Sequence, residues 1–458
     1  MLFKQSVSAS IPDARSSRSI DTVSARPSIL FTISDTGGGH RSGATAIKAA
    51  IEQLAGSDIQ IHIVDLLAST GTPIIRDAPS LYDRLSTDWL PFYNLIYRLT
   101  DGRRRMDMLT SAVYLQAHRN VVRILEETRP NLVVSVHPLS NRLVGNTRGA
   151  YRLSFRFATV VTDLVSLHAG WSDPNVELCI VPTAEAYERQ RKRGVPENKL
   201  IRTGFPIHPK FATYTGTRQS ARAELGIGLE PSTILLTSGG VGAGNLRDLV
   251  TKLDEAYPDH QLLVVTGRNA ALRQDLLDLG LGDNVHIYGF VDNMEALMAA
   301  SDIIVTKAGP GTLMEALSMR RPVIVTQAVG MQEQGNIDFV LNHELGAFCP
   351  TTDRIVPTIA ELLEPATYAA TTERLTNAVP RDGAMQIARI LLDQLQLAPP
   401  IRRRMLRLPD FVNLRSFSAR RLKLPAARIR VRLRVSTRAL RQPFQRVRRL
   451  PRWRRSRR

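Results

Sequence analysis

Short runs of β-branched and other apolar residues recur along this chain, each followed by a small-residue turn and then by apolar positions spaced three and four apart. Residues 29–34, 59–64, 131–136, 157–163, 178–182 and 200–203 read as strands in the first half, and 233–238, 261–266, 285–288, 302–306 and 322–326 in the second. Strands alternating with helices are the order of a parallel α/β sheet, and the order occurs twice. The expected fold is therefore α/β, with two Rossmann-like parallel-sheet domains facing each other across a cleft, over 28–212 and 213–398. Phe205 to Gln219, with Pro206 and Pro209 among small polar residues, reads as the hinge.

Two of the strand-to-helix turns carry chemistry. Ile303-Ile304-Val305-Thr306 runs into Lys307-Ala308-Gly309-Pro310-Gly311-Thr312 and then into an amphipathic helix. Free amides and the positive end of the helix dipole suit a diphosphate there, and Gly309 and Gly311 admit a ligand close to the backbone. Glu315, one turn further, is placed to accept hydrogen bonds from ribose hydroxyls. The same segment also reads as an ordinary tight connection in a parallel sheet. The second turn, Asp35-Thr36-Gly37-Gly38-Gly39-His40, leads into a helix with Ala46, Ile47, Ala50, Ile51 and Leu54 on one face. An imidazole at a helix N-terminus feels a positive potential, which holds His40 neutral near pH 7 and able to take a proton. A histidine in a loop otherwise serves as a cap or a solvated side chain.

Charge changes the picture at the ends. The net charge of +19 comes from the tail: residues 401–458 hold 22 Lys and Arg against one acid, Asp410, while the rest of the chain holds 39 basic and 41 acidic residues. The tail, 399–458, is broken by Pro409, Pro425, Pro443 and Pro451, and it interleaves apolar residues with arginines, as in Arg428-Ile429-Arg430-Val431-Arg432-Leu433. That pattern favours an anionic membrane surface, to which each basic residue contributes about 1 kcal/mol. Nucleic acid, disfavoured as a partner here, would attract the same charge, and a solvated extension is the third reading. Residues 1–27, rich in serine and arginine, read as disordered; an organelle-targeting peptide has a similar composition.

No run approaches the about eighteen apolar residues of a spanning helix. The two cysteines, Cys179 and Cys349, fall in different expected domains, which fits a reducing cytoplasm and argues against a disulfide framework. Leu81 to Leu99 gathers Tyr82, Trp89, Phe92, Tyr93 and Tyr97 among aliphatic residues, and reads either as a lipid contact or as a packed core helix. With the tail, the lipid reading gives a protein held peripherally on the inner face of the cell membrane.

Several motifs stand in order: SDTGGGHRSGATAI at 34–47, VTDLVSLHAGW at 161–171, TGFPIHPKF at 203–211, LLTSGGVGAGNL at 235–246, TGRN at 266–269, YGFVDNM at 288–294, and SDIIVTKAGPGTLMEAL through VGMQEQGN at 301–336. From about Ile29 to Leu397 the chain resembles the monogalactosyldiacylglycerol synthase group of glycosyltransferases, related to the bacterial enzyme that adds N-acetylglucosamine to the lipid-linked peptidoglycan precursor. The resemblance implies a GT-B fold, a UDP-sugar donor, a lipid acceptor such as diacylglycerol, and inversion at the anomeric carbon.

It also implies roles for matching residues. His40 falls at the general base. Gly38, Gly39, Gly239, Gly240, Lys307, Gly309, Gly311 and Thr312 fall on the donor side, with Gly239, Gly240, Gly309, Gly311 and Thr312 at its diphosphate. Phe290 and Val291 meet uracil through backbone groups, Glu315 meets ribose, and Gln332, Glu333 and Asn336 hold sugar hydroxyls. Asp163 supports His40, meets the acceptor, or caps its turn; Arg268 neutralises phosphate or lies on the surface. The sequence holds no Asp-x-Asp pair, so no metal and no other cofactor is expected, with helix dipole and amides serving the diphosphate instead. Transfer of galactose or glucose to a membrane lipid is the leading expectation. The alternatives are a UDP-N-acetylglucosamine-dependent transferase acting on a polyprenyl-linked or other acceptor, a UDP-N-acetylglucosamine epimerase on the same fold, and a non-catalytic nucleotide-sugar binder with a polyanion-binding tail.

Overall fold

The computed structural model of the chain describes residues 26–35, 39–70, 89–173, 175–237, 246–328 and 330–398. Gly38, Gly239 and Gly240, nearly all of 1–27, the tail 399–458, and Tyr82 lie outside them.

The first sheet contains β1 Ser28–Ile33, β2 Gln60–Asp65, β3 Leu132–Ser135, β4 Arg156–Val160, β5 Leu178–Val181 and β6 Leu200–Arg202, in the order β2-β1-β3-β4-β5-β6. The second contains β7 Thr233–Thr237, β8 Gln261–Val265, β9 Val285–Tyr288, β10 Ile303–Thr306, β11 Val323–Val325 and β12 Gly346–Phe348, in the order β12-β11-β10-β7-β8-β9. Every neighbouring pair is parallel. All eleven expected strands are present; β12, at the sheet edge, is the addition.

Period two in the strands sorts the core. Ile29, Phe31 and Ile33 bury one face of β1 against Ala44, Ile47 and Ile51 of the helix Gly39–Ala55, while Leu30 faces the opposite cluster with Val133, Leu143 and Trp171. In the second sheet Leu235, Leu263 and Ile304 pack on Leu313 and Leu317, and Ile234, Leu236 and Ile303 pack on Leu249, Leu253 and Ile359. Both faces of each sheet are covered, which explains the unbroken apolar runs.

Two segments add to the reading of the sequence. In the expected hinge Phe205, Ile207 and Phe211 sit in the core of the second half, and the chain forms a short helix, Pro209–Thr213. The last described helix, Gly383–Gln396, lies within the range assigned to the second domain. It nevertheless buries Ala384, Ile387, Ala388 and Leu391 against the first sheet. Its stripe of apolar residues fixes that it is covered, but its sequence holds nothing to say by which sheet.

Strand order reverses at β1/β3 and at β10/β7, and these crevices at the carboxyl ends are where open parallel sheets bind ligands. The turn leading to His40 leaves β1, and the turn holding Gly309 leaves β10. No helix among the described residues is long and apolar enough to cross a membrane.

Candidate active site

His40 is the second residue of the helix Gly39–Ala55 and is only 6% exposed. Its Nδ1 lies 3.0 Å from Thr162 Oγ1 at the end of β4. The His137 ring stands edge-on at 4.8 Å and 88°, and the Trp171 ring lies at 5.9 Å. Burial lowers the His40 pKa to about 4, with a backbone hydrogen bond at Val136 working in the opposite direction. The imidazole is neutral at pH 7, as its position at a helix N-terminus predicts, and desolvation is the largest cause. His137 is also held well below its ordinary value, by burial and then by the neighbouring histidines His40 and His168.

Asp163 is 4% exposed. Its Oδ2 accepts from Trp171 Nε1 at 2.6 Å and its Oδ1 accepts from Gln332 Nε2 at 3.1 Å. Burial raises its pKa to about 6; the two hydrogen bonds lower it, and the nearby Glu333 raises it. The Trp171 indole links Asp163 to His40, whose ring lies 5.9 Å away. The Asp163 carboxylate joins the two halves of the molecule.

On the opposite wall, the turn after β10 opens the helix Pro310–Ser318, with Gly309 as an N-cap that offers no side chain to the first-turn amides. This N-terminus abuts the one carrying His40: a Cβ on Gly39 would lie 3.4 Å from Pro310 Cγ, and one on Gly311 would lie 3.3 Å from Ser42 Oγ. The two helix starts therefore lie within side-chain contact of each other. A Cβ on Gly309 would lie 3.4 Å from Lys307 Cε and 3.8 Å from Glu333 Oε1. Asn336 Nδ2 donates to Ala308 O at 2.7 Å, while its buried Oδ1 has no hydrogen-bond partner. Gln332, Glu333 and Asn336 share the helix Gly330–Asn342, which starts from Gly330 at φ +65.

Thr312 lies in the first turn of the helix Pro310–Ser318 and Glu315 in the second. Glu315 is half-buried, and desolvation pushes its pKa to about 7, with Lys210 lowering it and Glu295 raising it. Lys210 Nζ lies 2.7 Å from Glu295 Oε2. Farther along the second sheet, beyond β8 and β9, the Arg268 guanidinium lies 5.2 Å above the ring of Phe290, which is 61% exposed, and Val291 packs on the core.

The structure thus brings Gly39 and the helix of His40 against Pro310 and Gly311, Gly309 against Lys307 and Glu333, Asn336 against Ala308, and Asp163 against Gln332, with Thr312 and Glu315 on the helix that starts at Pro310. No hydrogen bond or ion pair among the described residues joins Arg268, Phe290 or Val291 to that group; Arg268 and Phe290 meet each other and Val291 packs on the core. Thr162, His137, Trp171 and Ser42 were not singled out in the sequence. His137 carried a signal, because it follows the run 131–136 at a strand's carboxyl end. Among the described residues no group of three or more His, Cys, Asp or Glu could hold a metal ion.

Residues 40–207 match the family described as monogalactosyldiacylglycerol (MGDG) synthase, and 233–336 match the glycosyltransferase family 28 C-terminal domain. The chain is 32% identical over 348 residues to the chloroplastic MGDG synthase of Spinacia oleracea, covering 74% of this chain and 66%, just under two thirds, of that protein. It is 32% identical over 333 residues to a probable MGDG synthase 2 of Oryza sativa subsp. indica, covering 71% of each. The crystal structure of MurG from Acinetobacter baumannii superposes with a TM-score of 0.52 at 13% identity, covering 80% of this chain and 99% of that one. That last likeness is one of fold, and the paired six-stranded parallel sheets are those of GT-B. By its matched domains and its plant relatives, the chain belongs to the MGDG synthase family of glycosyltransferases.

Proposed function

We propose that the protein transfers a hexose, galactose or glucose, from a UDP-sugar to the free hydroxyl of diacylglycerol or a related membrane lipid, with inversion. The observation that carries this reading is the neutral His40 imidazole at one helix N-terminus, set against a second N-terminus at Gly309 and Pro310. His40 takes the hydroxyl proton as the lipid oxygen forms its bond to the anomeric carbon; the bond from that carbon to UDP breaks, and the pair leaves with the diphosphate. First-turn amides of the helix Pro310–Ser318 face the charge that develops there, where preorganised donors act most strongly. The approaching diphosphate also favours the imidazolium, lifting the His40 pKa from its low value in the empty cleft toward the range useful for a base.

In this reading Glu315 accepts from ribose, and the helix Gly330–Asn342 reads the hexose through Gln332, Glu333 and Asn336. The diphosphate is held by amides and Lys307 without a metal ion. On the acceptor side, the helix Leu90–Thr100 exposes Phe92, Leu95, Ile96 and Leu99, with Trp89 before it 64% exposed, and this face suits lipid rather than a packed core. The protein works, in this proposal, at the inner surface of the cell membrane.

Incubating the purified protein with a panel of UDP-sugars and diacylglycerol-containing vesicles, followed by mass analysis of the lipids, tests the reading. A lipid heavier by one or more hexoses is expected. Products only with a polyprenyl-linked acceptor, or UDP-sugar epimerised without transfer, would replace it.

A further inference from the structure

The motif TGFPIHPKF at 203–211 gave no candidate site residue in the sequence, yet its lysine reaches the donor side. The short helix Pro209–Thr213 is held at its start and in its middle. His208 Nδ1 accepts from Lys210 N at 3.3 Å, and Phe211 is buried in the core that also holds Leu313, Met314 and Leu317 of the helix Pro310–Ser318. From there Lys210 Nζ lies 2.7 Å from Glu295 Oε2 and donates to the Asp292 carbonyl. Asp292 directly follows Phe290 and Val291, the expected uracil contacts, and Glu295 stands in the first turn of the helix Met294–Ala300. The two paired side chains are 34% and 18% exposed, so water and salt screen them only in part.

The same ammonium acts on Glu315. Desolvation of that half-buried carboxyl favours its neutral form, Lys210 favours the ionised form, and Glu295 opposes Lys210. Other charged groups on the elements around this helix are engaged elsewhere. His208 is held below its ordinary value, by burial and then by Lys210, and is neutral above pH 7. Arg381 donates to the Phe211 carbonyl, and Arg374 of the helix Pro365–Ala378 pairs with Glu344 at 2.9 Å. On the helix Gly39–Ala55, His40 is neutral and Arg41 is paired with Asp35. Lys307 lies on the Gly309 side of the turn, toward Glu333.

We propose that Lys210 is a positioning residue for the ribose of the donor: anchored on Glu295 and on the Asp292 carbonyl, its ammonium keeps the Glu315 carboxylate ionised and so an acceptor for both ribose hydroxyls. The inference rests on the ribose role that the transferase reading gives Glu315, and adds to it the cation that role needs. An ionised carboxylate only accepts, and accepts strongly, whereas the protonated form turns one oxygen into a donor.

Calorimetric titration of UDP and of 2′-deoxy-UDP into the full chain, from about pH 6 to about pH 9, tests this; the ratio of the two affinities cancels the titration of the diphosphate itself. In the wild type the preference for UDP should rise with pH through about 7, as Glu315 ionises. Lys210→Met should move that rise to higher pH. At pH 7.5 its preference should fall by as much as about fivefold, the fold-change to which a difference of about 1 kcal/mol between charged and neutral acceptors converts, and it should return by about pH 9. Lys210→Arg, which keeps the charge, should follow the wild type. Glu295→Gln, which removes the opposing charge, should move the rise to lower pH, and Glu315→Gln should show no rise. Lys210→Gln repeats the loss of charge should the methionine variant fold poorly. A wild-type preference independent of pH, or a preference lost without Lys210 and not restored at high pH, would overturn the proposal while leaving the transferase reading standing; the second result would make Lys210 a brace for the uracil turn. UDP bound with no preference over its 2′-deoxy form would remove Glu315 from the ribose as well, and absence of any UDP binding would sink the transferase reading itself.

Discussion

Asp163 Oδ1 and Gln332 Nε2 meet at 3.1 Å, joining the end of the fourth strand of one sheet to the helix that carries the candidate sugar contacts of the other half. Both partners of Asp163 are donors, since Trp171 Nε1 also points at it. An asparagine in its place must turn its amide toward one of them. Asp163→Asn should therefore cost about 1–3 kcal/mol of stability. The donor KM should rise while UDP alone binds as before. Because the Asp163 pKa is raised to about 6, the wild-type carboxylate gains a proton below that pH, which then faces a donor. Wild-type kcat/KM should fall on that acid limb, and the asparagine variant should show no limb there.

His40 gives a sharper test, in catalysis and in stability alike. His40→Ala should reduce transfer by about 10²- to 10⁴-fold, the usual worth of a positioned base, with UDP binding retained. In the folded protein its pKa is lowered from 6.5 to about 4, so the unfolded chain takes up the proton first as pH falls. Its neutral state contributes fully above pH 6.5, and the contribution is lost as pH falls toward about 4, amounting to about 3 kcal/mol. Denaturant unfolding at pH 7.5 and 4.5 should show the wild type losing more stability than His40→Ala between those values. Equal losses would mean that the imidazole is not the buried neutral group described. A histidine resonance that titrates higher once UDP is added would report the same ring meeting the diphosphate.

Much of this was legible in the sequence, for a physical reason. Strands buried on both faces show as unbroken apolar runs, so eleven of them could be placed; Gly346–Phe348 could not, because three residues at a sheet edge carry no run and are defined only by pairing with Val323–Val325. The glycine turns announced both helix starts, since close backbone approach leaves a composition signal. Partners across the fold left none. Nothing local says that Gly311 lies against Ser42, that Asn94 accepts from a helix more than two hundred residues away, or that Ile387 and Leu391 return to the first sheet. Burial at Asp163 and Glu315 was equally hidden, because desolvation depends on what the rest of the chain places around a carboxylate.

Two glycines separate close packing from mere flexibility. Gly335 lies in the helix Gly330–Asn342, and an added Cβ would fall 2.6 Å from the backbone nitrogen of Ser166, so the helix must move. Gly335→Ala should cost about 1–3 kcal/mol, the usual penalty of overpacking, and weaken UDP-hexose binding more than UDP binding. Gly149, in the helix Pro138–Tyr151, has nothing within 4 Å of the same added atom. Gly149→Ala should stabilise the protein by about 0.5–1 kcal/mol with donor binding unchanged. Thermal unfolding and donor titration of the pair distinguish the two cases; equal effects on binding would remove Gly335 from the donor site.

Two membrane contacts of different physics are proposed, and salt distinguishes them. The tail carries 22 Lys and Arg against one acid over residues 401–458, and its attraction to anionic lipid acts through water. Screening shortens that reach from about 10 Å at 0.1 M to about 3 Å at 1 M salt. The exposed face of Phe92, Leu95, Ile96 and Leu99 acts by burial, which salt does not weaken. Flotation with phosphatidylglycerol vesicles should therefore fall in two stages. High salt releases most of the full chain and leaves a smaller bound fraction; a variant lacking 399–458 should show only that smaller fraction, nearly independent of salt, and should keep turnover in detergent. Replacing Phe92 and Leu95 with serine should remove the salt-resistant part and leave the salt-sensitive part. Tail-dependent binding that double-stranded DNA competes away at equal phosphate concentration would assign the tail to nucleic acid instead.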